Sequence, residues 1–283
     1  MDSLIALMLT ITAVIITVML NGSSSRLRTA GTVLASIACL VCVLWFFLVM
    51  QTGILGSPRE PTLPTDELKP ALLWIFTVIS LIGGLFLLWA ALEQRTRTNR
   101  VQLSNDNSAG QYGRVSRYLH WITAILFLSL FPIGIFATMI PEGTEWRPSY
   151  YAVHKTIGIL VFILVFIRVM WHVKSTRPAL DPSLKSWEKN LARIAHYGLY
   201  FLMITLPITG FAMSTYAGNV SKFFTWELPL LWAADDEAIK LWGLLHKIVL
   251  PYLFYGLFTA HLVGAVKHHF IDKHPKNIRR ILS

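Results

Sequence analysis

The stretch that most constrains this chain runs from Leu241 to Phe270, LWGLLHKIVLPYLFYGLFTAHLVGAVKHHF. It is long and apolar enough to cross a bilayer, for which about twenty residues suffice, yet it carries a histidine near each end. His246 and His261 are fifteen residues apart, which is roughly 22 Å along a helix at about 1.5 Å per residue. A histidine inside a membrane span is costly and marks a functional site by default. The two histidines are therefore candidate ligands for two metal centres stacked across the membrane.

Composition places the chain among polytopic membrane proteins. Of its 283 residues, 54% are hydrophobic and only 14% are charged, whereas a soluble domain carries about a quarter charged residues. The net charge of +10 is explained by basic loops on one membrane face, so we expect no nucleic-acid partner. Cys39 and Cys42 lie in an apolar run and are interpreted as packing residues. No cysteine cluster is present that could hold an iron–sulfur centre.

Seven apolar stretches predict an all-α integral membrane protein with seven transmembrane helices. They cover residues 4–20, 29–50, 71–92, 119–141, 152–173, 194–216 and 241–267. The first stretch has the length of a signal peptide, but it lacks a basic start and a small-residue cleavage pattern, so we interpret it as a span. No internal repeat is evident. The acidic, aromatic segment 217–240 is predicted to fold as a cap on the outer side.

The distribution of positive charge predicts the orientation. Seventeen of the 25 lysines and arginines fall in segments 22–28, 93–118, 174–193 and 267–283, which alternate with poorly charged or acidic ones. The positive-inside rule then places the N-terminus in the periplasm and the C-terminus in the cytoplasm. The expected location is the bacterial inner membrane, with membrane lipid around the spans.

The longest polar run, residues 93–117, divides the chain. Residues 1–95 form a three-span N-terminal extension without a histidine, which we interpret as a hydrophobic surface for packing or for assembly with a second copy. The wall of a quinone channel and a docking surface for a partner subunit are the alternatives. After a cytoplasmic linker at 96–117, every histidine lies in or beside the four spans of residues 118–275, and a basic tail covers 276–283. The chemistry therefore belongs to the C-terminal four-helix bundle.

Depth along the spans sorts four of these histidines into two pairs. His120 begins its span on the cytoplasmic side and His154 begins the next on the outer side. Because the last span enters from outside, His246 lies at the depth of His154, and His261 at the depth of His120. Facing helices of a bundle build cofactor sites from inward side chains, and two bis-histidine b haems need such pairs. Zinc fits less well, since it takes three or four protein ligands.

Arg168 lies fourteen residues after His154 and so reaches the depth of the inner pair. A buried arginine costs about 3 kcal/mol or more at the bilayer centre. It is therefore a candidate partner of a haem propionate, while snorkelling to the interface is the alternative.

Two further histidines are candidates near the inner pair. His268 lies seven residues beyond His261, where it would hydrogen-bond or protonate the headgroup of a quinone. His196 lies at the depth of His120 and competes with it as a ligand, although a buried, hydrogen-bonded structural histidine is the favoured interpretation.

Residues from about 113 to 275 resemble the bacterial cytochrome b-561 family of four-span, di-haem membrane cytochromes. The motifs that carry the resemblance are RYLHW at 117–121, YAVHKTIG at 151–158 followed by Arg168, AHYGLYFLMITLPITGFAMS at 195–214, YAGN at 216–219, Trp242 four residues before His246, and the pair His261 and His268. The resemblance implies that His120 and His261 bind the cytoplasmic haem and that His154 and His246 bind the periplasmic one. The pairing by depth agrees. Residues 1–95 are not covered.

The resemblance implies that electrons pass between a periplasmic donor and membrane quinone, and its sharpest form is an oxidoreductase that oxidises superoxide and reduces a ubiquinone-type quinone. Lys155 and Lys247 each follow a periplasmic histidine. Two cations there would attract a small anion, which makes both lysines candidate catalytic residues. Snorkelling or pairing with haem propionates is the alternative interpretation of both.

Two other functions fit parts of the pattern. A cytochrome b anchor subunit of a quinone-linked dehydrogenase or hydrogenase complex shares the histidine arrangement, and its donor would be a redox protein. A transporter or a structural membrane protein would use the histidines without haem.

One departure from the family predicts a local distortion. His246 and His261 are fifteen residues apart here, where the family pattern has fourteen, and one extra residue turns a helix by about 100°. Pro251 removes a backbone hydrogen bond nearby. We therefore expect a kink or a π-bulge near residues 247–252 that restores the register.

Overall fold

The structure is a computed structural model that describes residues 104–145, 147–179, 184–272 and 280–281. The three predicted spans at 4–20, 29–50 and 71–92 lie outside the described residues. Within the described part, the four predicted C-terminal spans are confirmed as helices long and apolar enough to cross a membrane. They are α1 (Arg114–Met139), α2 (Arg147–Lys174), α3 (Ser186–Tyr216) and α4 (Asp236–Val266).

Each helix begins several residues before its apolar stretch, because polar residues also form its first turns. The start of α4 shows why. The side chain of Asp235 accepts hydrogen bonds from the backbone N–H groups of Glu237 and Ala238, and such a cap satisfies donors that a helix start leaves open. The acidic side chains of Asp236 and Glu237 follow in the first turn, where the positive end of the helix dipole stabilises them.

A π-helical turn at Leu245–Val249 interrupts α4. It overlaps the start of the predicted region, and the predicted distortion is thus confirmed. The N–H of Leu250 bonds the carbonyl of Leu245, five residues back, and Pro251 has no N–H to offer the next carbonyl. A π turn takes up one extra residue and is often found at functional sites. A second π turn, Lys267–Ile271, follows α4.

The segment between α3 and α4 is folded, as predicted. Strands β1 (Ser221–Phe223) and β2 (Trp226–Leu228) form an antiparallel hairpin. Lys222 and Glu227 face each other across it, with 2.7 Å between Nζ and Oε1. Because of this ion pair, the pKa of Glu227 is lowered from its usual value.

The described residues fall into two compact units, one of which contains Trp121–His154. In this unit, the rings of Phe136 and Tyr150 pack with their centroids 5.0 Å apart. The Arg147 guanidinium lies over the ring of Tyr151, at 5.6 Å from its centroid.

The other unit contains the described residues before Trp121 and after His154. Trp171 Nε1 donates to Ser116 Oγ at 2.8 Å, which ties the inner end of α2 to the start of α1. Helices α3 and α4 pack along each other, and Lys267 Nζ lies 2.7 Å from Glu188 Oε1 where α4 ends.

Candidate functional site

Arg168 on α2 contacts His120 on α1. Its Nη2 lies 2.8 Å from His120 Nδ1, and its guanidinium lies 5.1 Å from the centroid of the Tyr200 ring. A guanidinium can only donate, so Nδ1 accepts in this contact. Arg168 therefore points inward to the predicted ligand and does not snorkel away from it.

His196 on α3 contacts His261 on α4. The two ring centroids are 5.2 Å apart, and the rings meet edge to face at 67°. The structure therefore gives each predicted inner ligand a neighbour, Arg168 for His120 and His196 for His261. Both interpretations of His196, as a competing ligand and as a structural histidine, stay predictions beside this contact with His261.

His246 lies in the π turn and faces α3. Its Nδ1 donates to the carbonyl of Leu206 at 3.0 Å, and this fixes the proton on Nδ1 because a carbonyl only accepts. Nε2 is thereby left with a lone pair. A metal-bound histidine usually has such a partner on its second nitrogen, so His246 is oriented and protonated as a ligand should be.

A glycine lies against each of the two outer histidines. A Cβ built on Gly210 would be 2.6 Å from Cε1 of His246, and one built on Gly134 would be 2.9 Å from Cε1 of His154. Both distances are shorter than real side chains allow. The imidazole of each outer histidine therefore occupies space that a side chain on the glycine would fill.

The two helical hairpins repeat one pattern, which the sequence reasoning missed. In each hairpin, the first helix carries a histidine and, fourteen residues later, a glycine that contacts the outer histidine. The second helix carries that outer histidine and, fourteen or fifteen residues later, a residue at the depth of the first histidine. In α1 and α2 these positions are His120, Gly134, His154 and Arg168; in α3 and α4 they are His196, Gly210, His246 and His261. The last interval is fifteen residues because it contains the π turn. The signal that could have revealed the repeat is the identical fourteen-residue spacing.

Arg117, one turn before His120, was also missed. Its side chain is only 5% exposed, and its Nε donates to the carbonyl of Tyr112 at 2.9 Å. Its Nη2 is buried without a hydrogen-bond partner among the described residues. A buried donor without an acceptor is costly, and a charged one more so. The site thus offers a cation to an acidic group.

The two candidate catalytic lysines are placed differently. Lys155 Nζ donates to Ser214 Oγ at 2.6 Å, and Ser214 Oγ donates in turn to the carbonyl of Asn219 at 2.9 Å. Its ammonium thereby joins the outer ends of α2 and α3. Lys247 is exposed within the π turn.

His268 lies in a charged cluster below the end of α4. Its Nδ1 is 2.7 Å from Asp272 Oδ2, which also accepts from Lys267 Nζ at 2.7 Å. Lys267 and His268 lower the pKa of Asp272 from its usual 3.8, while Asp272 and Glu188 raise the pKa of Lys267 above 10.5. His268 is therefore half-buried and bonded, rather than a solvated tail residue.

The prokaryotic cytochrome b561 family model matches residues 111–283 of this chain, more than half of it. The chain belongs to the prokaryotic cytochrome b561 family. Escherichia coli (strain K12) cytochrome b561 homolog 2 is 33% identical over 172 residues, which are 60% of this chain and 91% of the relative. Cytochrome b561 homolog 1 of the same organism is 25% identical over 163 residues, 58% of this chain and 92% of the relative. A probable superoxide oxidase CybB of Yersinia pestis is 23% identical over 155 residues, 55% of this chain and 86% of the relative.

Membership in the cytochrome b561 family makes this chain a multi-pass membrane protein that carries out electron transfer and binds haem b. The residues fit that group. Imidazoles are suitable iron ligands, His246 presents Nε2 unprotonated, two glycines leave room beside imidazoles, and Arg117 has a buried donor for a carboxylate. Arg168 is the one unusual feature, since a donor rather than an acceptor contacts the second nitrogen of His120.

Proposed function

We propose that the chain is a quinone-linked oxidoreductase that passes electrons across the bacterial inner membrane through two b haems, from superoxide on the periplasmic side to a ubiquinone-type quinone. The observation that carries the proposal is the π turn at Leu245–Val249. It absorbs the extra residue between His246 and His261, so that both imidazoles project from one side of α4 at two depths. One helix then supplies a ligand to each of two centres.

His120 and His261 bind the inner haem in this proposal, and His154 and His246 bind the outer one, as the depths along the sequence suggest. The haem irons supply one-electron oxidation and reduction, at potentials that ligands, hydrogen bonds and burial set. Leu206 holds the ring of His246 through its carbonyl. Arg117 and Arg168 hold acidic groups of the inner haem, which would draw the Arg168 guanidinium off Nδ1 of His120.

The electron donor and the electron acceptor are inferred from charged residues and from the relatives. Lys155 and Lys247 attract superoxide to the outer haem, because cations focus small anions. The Yersinia pestis relative is a probable superoxide oxidase, which supports this donor. In this proposal His268, whose Nδ1 lies 2.7 Å from Asp272 Oδ2, hydrogen-bonds or protonates the headgroup of the quinone. The N-terminus is periplasmic and the C-terminus cytoplasmic, as the positive-inside rule predicts.

The test is a reduced-minus-oxidised spectrum with haem quantitation on the purified full chain and on His246→Ala and His261→Ala. We expect two haems b per chain, and each variant should lose a different one. A superoxide pulse should then reduce the wild-type haems, and added ubiquinone should reoxidise them. A chain without haem, or with one haem that neither substitution affects, would refute the proposal.

A further inference from the structure

The β-hairpin between α3 and α4 has one apolar and one charged face. In its register, Phe223 pairs with Trp226, and Lys222 pairs with Glu227. Side chains alternate along a strand, and paired residues share a face. Phe223 and Trp226 therefore lie on the face opposite to that of the Lys222–Glu227 ion pair, and Trp226 is 72% exposed there. The hairpin is thus amphipathic, with a large aromatic side chain uncovered.

The turn of this hairpin is strained and exposes a second aromatic side chain. Phe224 has a φ of +54°, a left-handed conformation that is rare for a bulky residue, and it is 70% exposed. Backbone strain of this kind costs free energy and is found at functional positions. In water the exposed ring recovers none of this cost, whereas burial of the ring in an apolar phase offsets it.

The base of the hairpin is held by α2 and α3. Ser221 is buried, and its Oγ donates to Ser214 Oγ on α3 at 3.2 Å. On α2, Thr156 Oγ1 donates to the carbonyl of Lys222 at 3.2 Å. Because Ser221 is two residues before Phe223, it lies on the apolar face. The hairpin is therefore fixed at its base, and its apolar face is on the side on which α3 lies.

The contact with Thr156 gives the depth of the hairpin. Thr156 lies eighteen residues before Lys174, at the inner end of α2, which is roughly 27 Å along a helix at about 1.5 Å per residue. Lys174 is exposed and charged, so it lies outside the hydrocarbon layer, whose thickness is about 30 Å. The base of the hairpin therefore lies near the opposite boundary of that layer, and not far out in water.

We propose that the hairpin of residues 221–228 lies in the membrane interface, with its apolar face and the ring of Phe224 against phospholipid acyl chains. Its charged face, with the ion pair of Lys222 and Glu227, is then directed to the headgroups and water. Aromatic side chains concentrate at this level of a bilayer, and an amphipathic element there buries its apolar face by about 5–10 Å. The inference does not depend on which donor or acceptor the haems serve.

The experiment places a nitroxide spin label on each face of the hairpin. Trp226→Cys and its neighbour Glu227→Cys are matched positions on opposite faces, and both are made in the full chain with Cys39→Ser and Cys42→Ser. Each labelled protein is reconstituted with its haems into vesicles of phosphatidylethanolamine and phosphatidylglycerol. Collisions of the label with O2, which concentrates in lipid, are compared with collisions with nickel-EDDA, which stays in water.

A second measurement uses the wild-type chain in the same vesicles. A phospholipid that carries a diazirine near its ester groups is photoactivated, and the peptides that it labels are mapped. Should a cysteine variant lose its haems, this photolabelling decides.

We expect the ratio of O2 collisions to nickel-EDDA collisions to be about fivefold higher, or more, at position 226 than at position 227, and lipid adducts to form on the peptide that contains Phe224. Equal access of nickel-EDDA to both labels would overturn the inference, since the hairpin would then lie in water. Exclusion of both reagents from position 226 would also overturn it, because a second copy, another protein or another part of this chain would then cover the face. So would the absence of lipid adducts on this peptide.

Discussion

Gly210 lies so close to His246 that a single added carbon on it would reach within 2.6 Å of the ring. Gly134 has the same relationship to His154, at 2.9 Å. The two glycines come from different helices but from the same position of the repeated hairpin. In each hairpin, the ring of the outer histidine therefore packs against a glycine of the preceding helix, where any side chain would collide with it.

Replacing these glycines should displace the outer histidines. Gly210→Ala and Gly134→Ala each force an imidazole to move, and overpacking of this kind costs about 1–3 kcal/mol. We expect a loss of haem in both variants, measured as the haem-to-protein ratio. Gly256→Ala is the control, because a Cβ there meets nothing within 4 Å. That change should keep both haems and stabilise the helix by about 0.4–1 kcal/mol. Full haem content in Gly210→Ala would show that His246 does not need its observed position.

Arg117 should tune the inner haem. A cation near a haem favours the reduced form, so Arg117→Gln should lower one of the two midpoint potentials. At a separation of ~8 Å and an effective dielectric constant of ~20, one charge contributes roughly 2 kcal/mol, or on the order of 90 mV for one electron. Arg193→Gln is the control, since Arg193 is exposed and bonds only Asn190 among the described residues. Redox titration checks both. Equal potentials in wild type and Arg117→Gln would mean that Arg117 is not near a haem.

The two outer lysines should differ in their effects. Lys155→Met and Lys247→Met each remove a cation that attracts superoxide, so the rate of haem reduction should fall several-fold at low salt and the difference should shrink at high salt. Lys155→Met should also lower the thermal midpoint, because it removes the bond to Ser214. Stopped-flow reduction and thermal unfolding measure the two effects. A salt-independent loss of rate would contradict electrostatic attraction.

The charged cluster at the end of α4 should stabilise the protein over a defined range of pH. The pKa of Asp272 is lowered below 3.8, so its contribution is present above pH 3.8 and is lost as the pH falls through the lowered value. The pKa of Lys267 is raised above 10.5, so its contribution is lost only as the pH rises through the raised value. The thermal midpoint of Asp272→Asn should therefore lie below that of wild type by a constant difference at neutral pH, and the difference should disappear in acid.

A matched control exists for that measurement. Lys240 and Glu237 form an ion pair at 2.6 Å on the exposed first turns of α4, and exposed pairs contribute little. Lys240→Met should leave the thermal midpoint almost unchanged at every pH. A wild-type advantage over Asp272→Asn that grows in acid would have the wrong sign for this cluster.

The four described spans and the distortion of α4 were predictable because they depend on local properties. A long run of apolar residues predicts a transmembrane helix because the surrounding solvent is lipid. The extra residue between His246 and His261 has to be taken up by a local distortion if both side chains are to project from one side of the helix. The common depth of His120 and His261 follows in the same way from counting residues. Such arguments need only the distance along one helix.

Contacts between helices were not predictable to the same degree. Nothing in the sequence says that Arg168 turns to His120, that the ring of His196 meets the ring of His261, or that Ser214 binds Lys155, because these contacts depend on how the helices are rotated about their axes. The contacts of Gly134 and Gly210 were within reach, since both are fourteen residues after a histidine. These two glycines did not stand out in the sequence, because glycine is common in membrane helices for other reasons.

The π turn allows a test of whether the rotational register of His246 and His261 along α4, rather than the number of residues between them, decides haem binding. Deleting Ile248, inside Leu245–Val249, should convert the π turn to a regular helix and leave the two histidines fourteen residues apart, so both haems should be retained. Deleting Gly256, in the regular part of the same helix, also leaves the histidines fourteen residues apart but keeps the π turn. His261 then rotates by about 100° relative to His246, and one haem should be lost. Haem quantitation on both variants decides, and the same haem content in the two would mean that the register of α4 does not set the ligand positions.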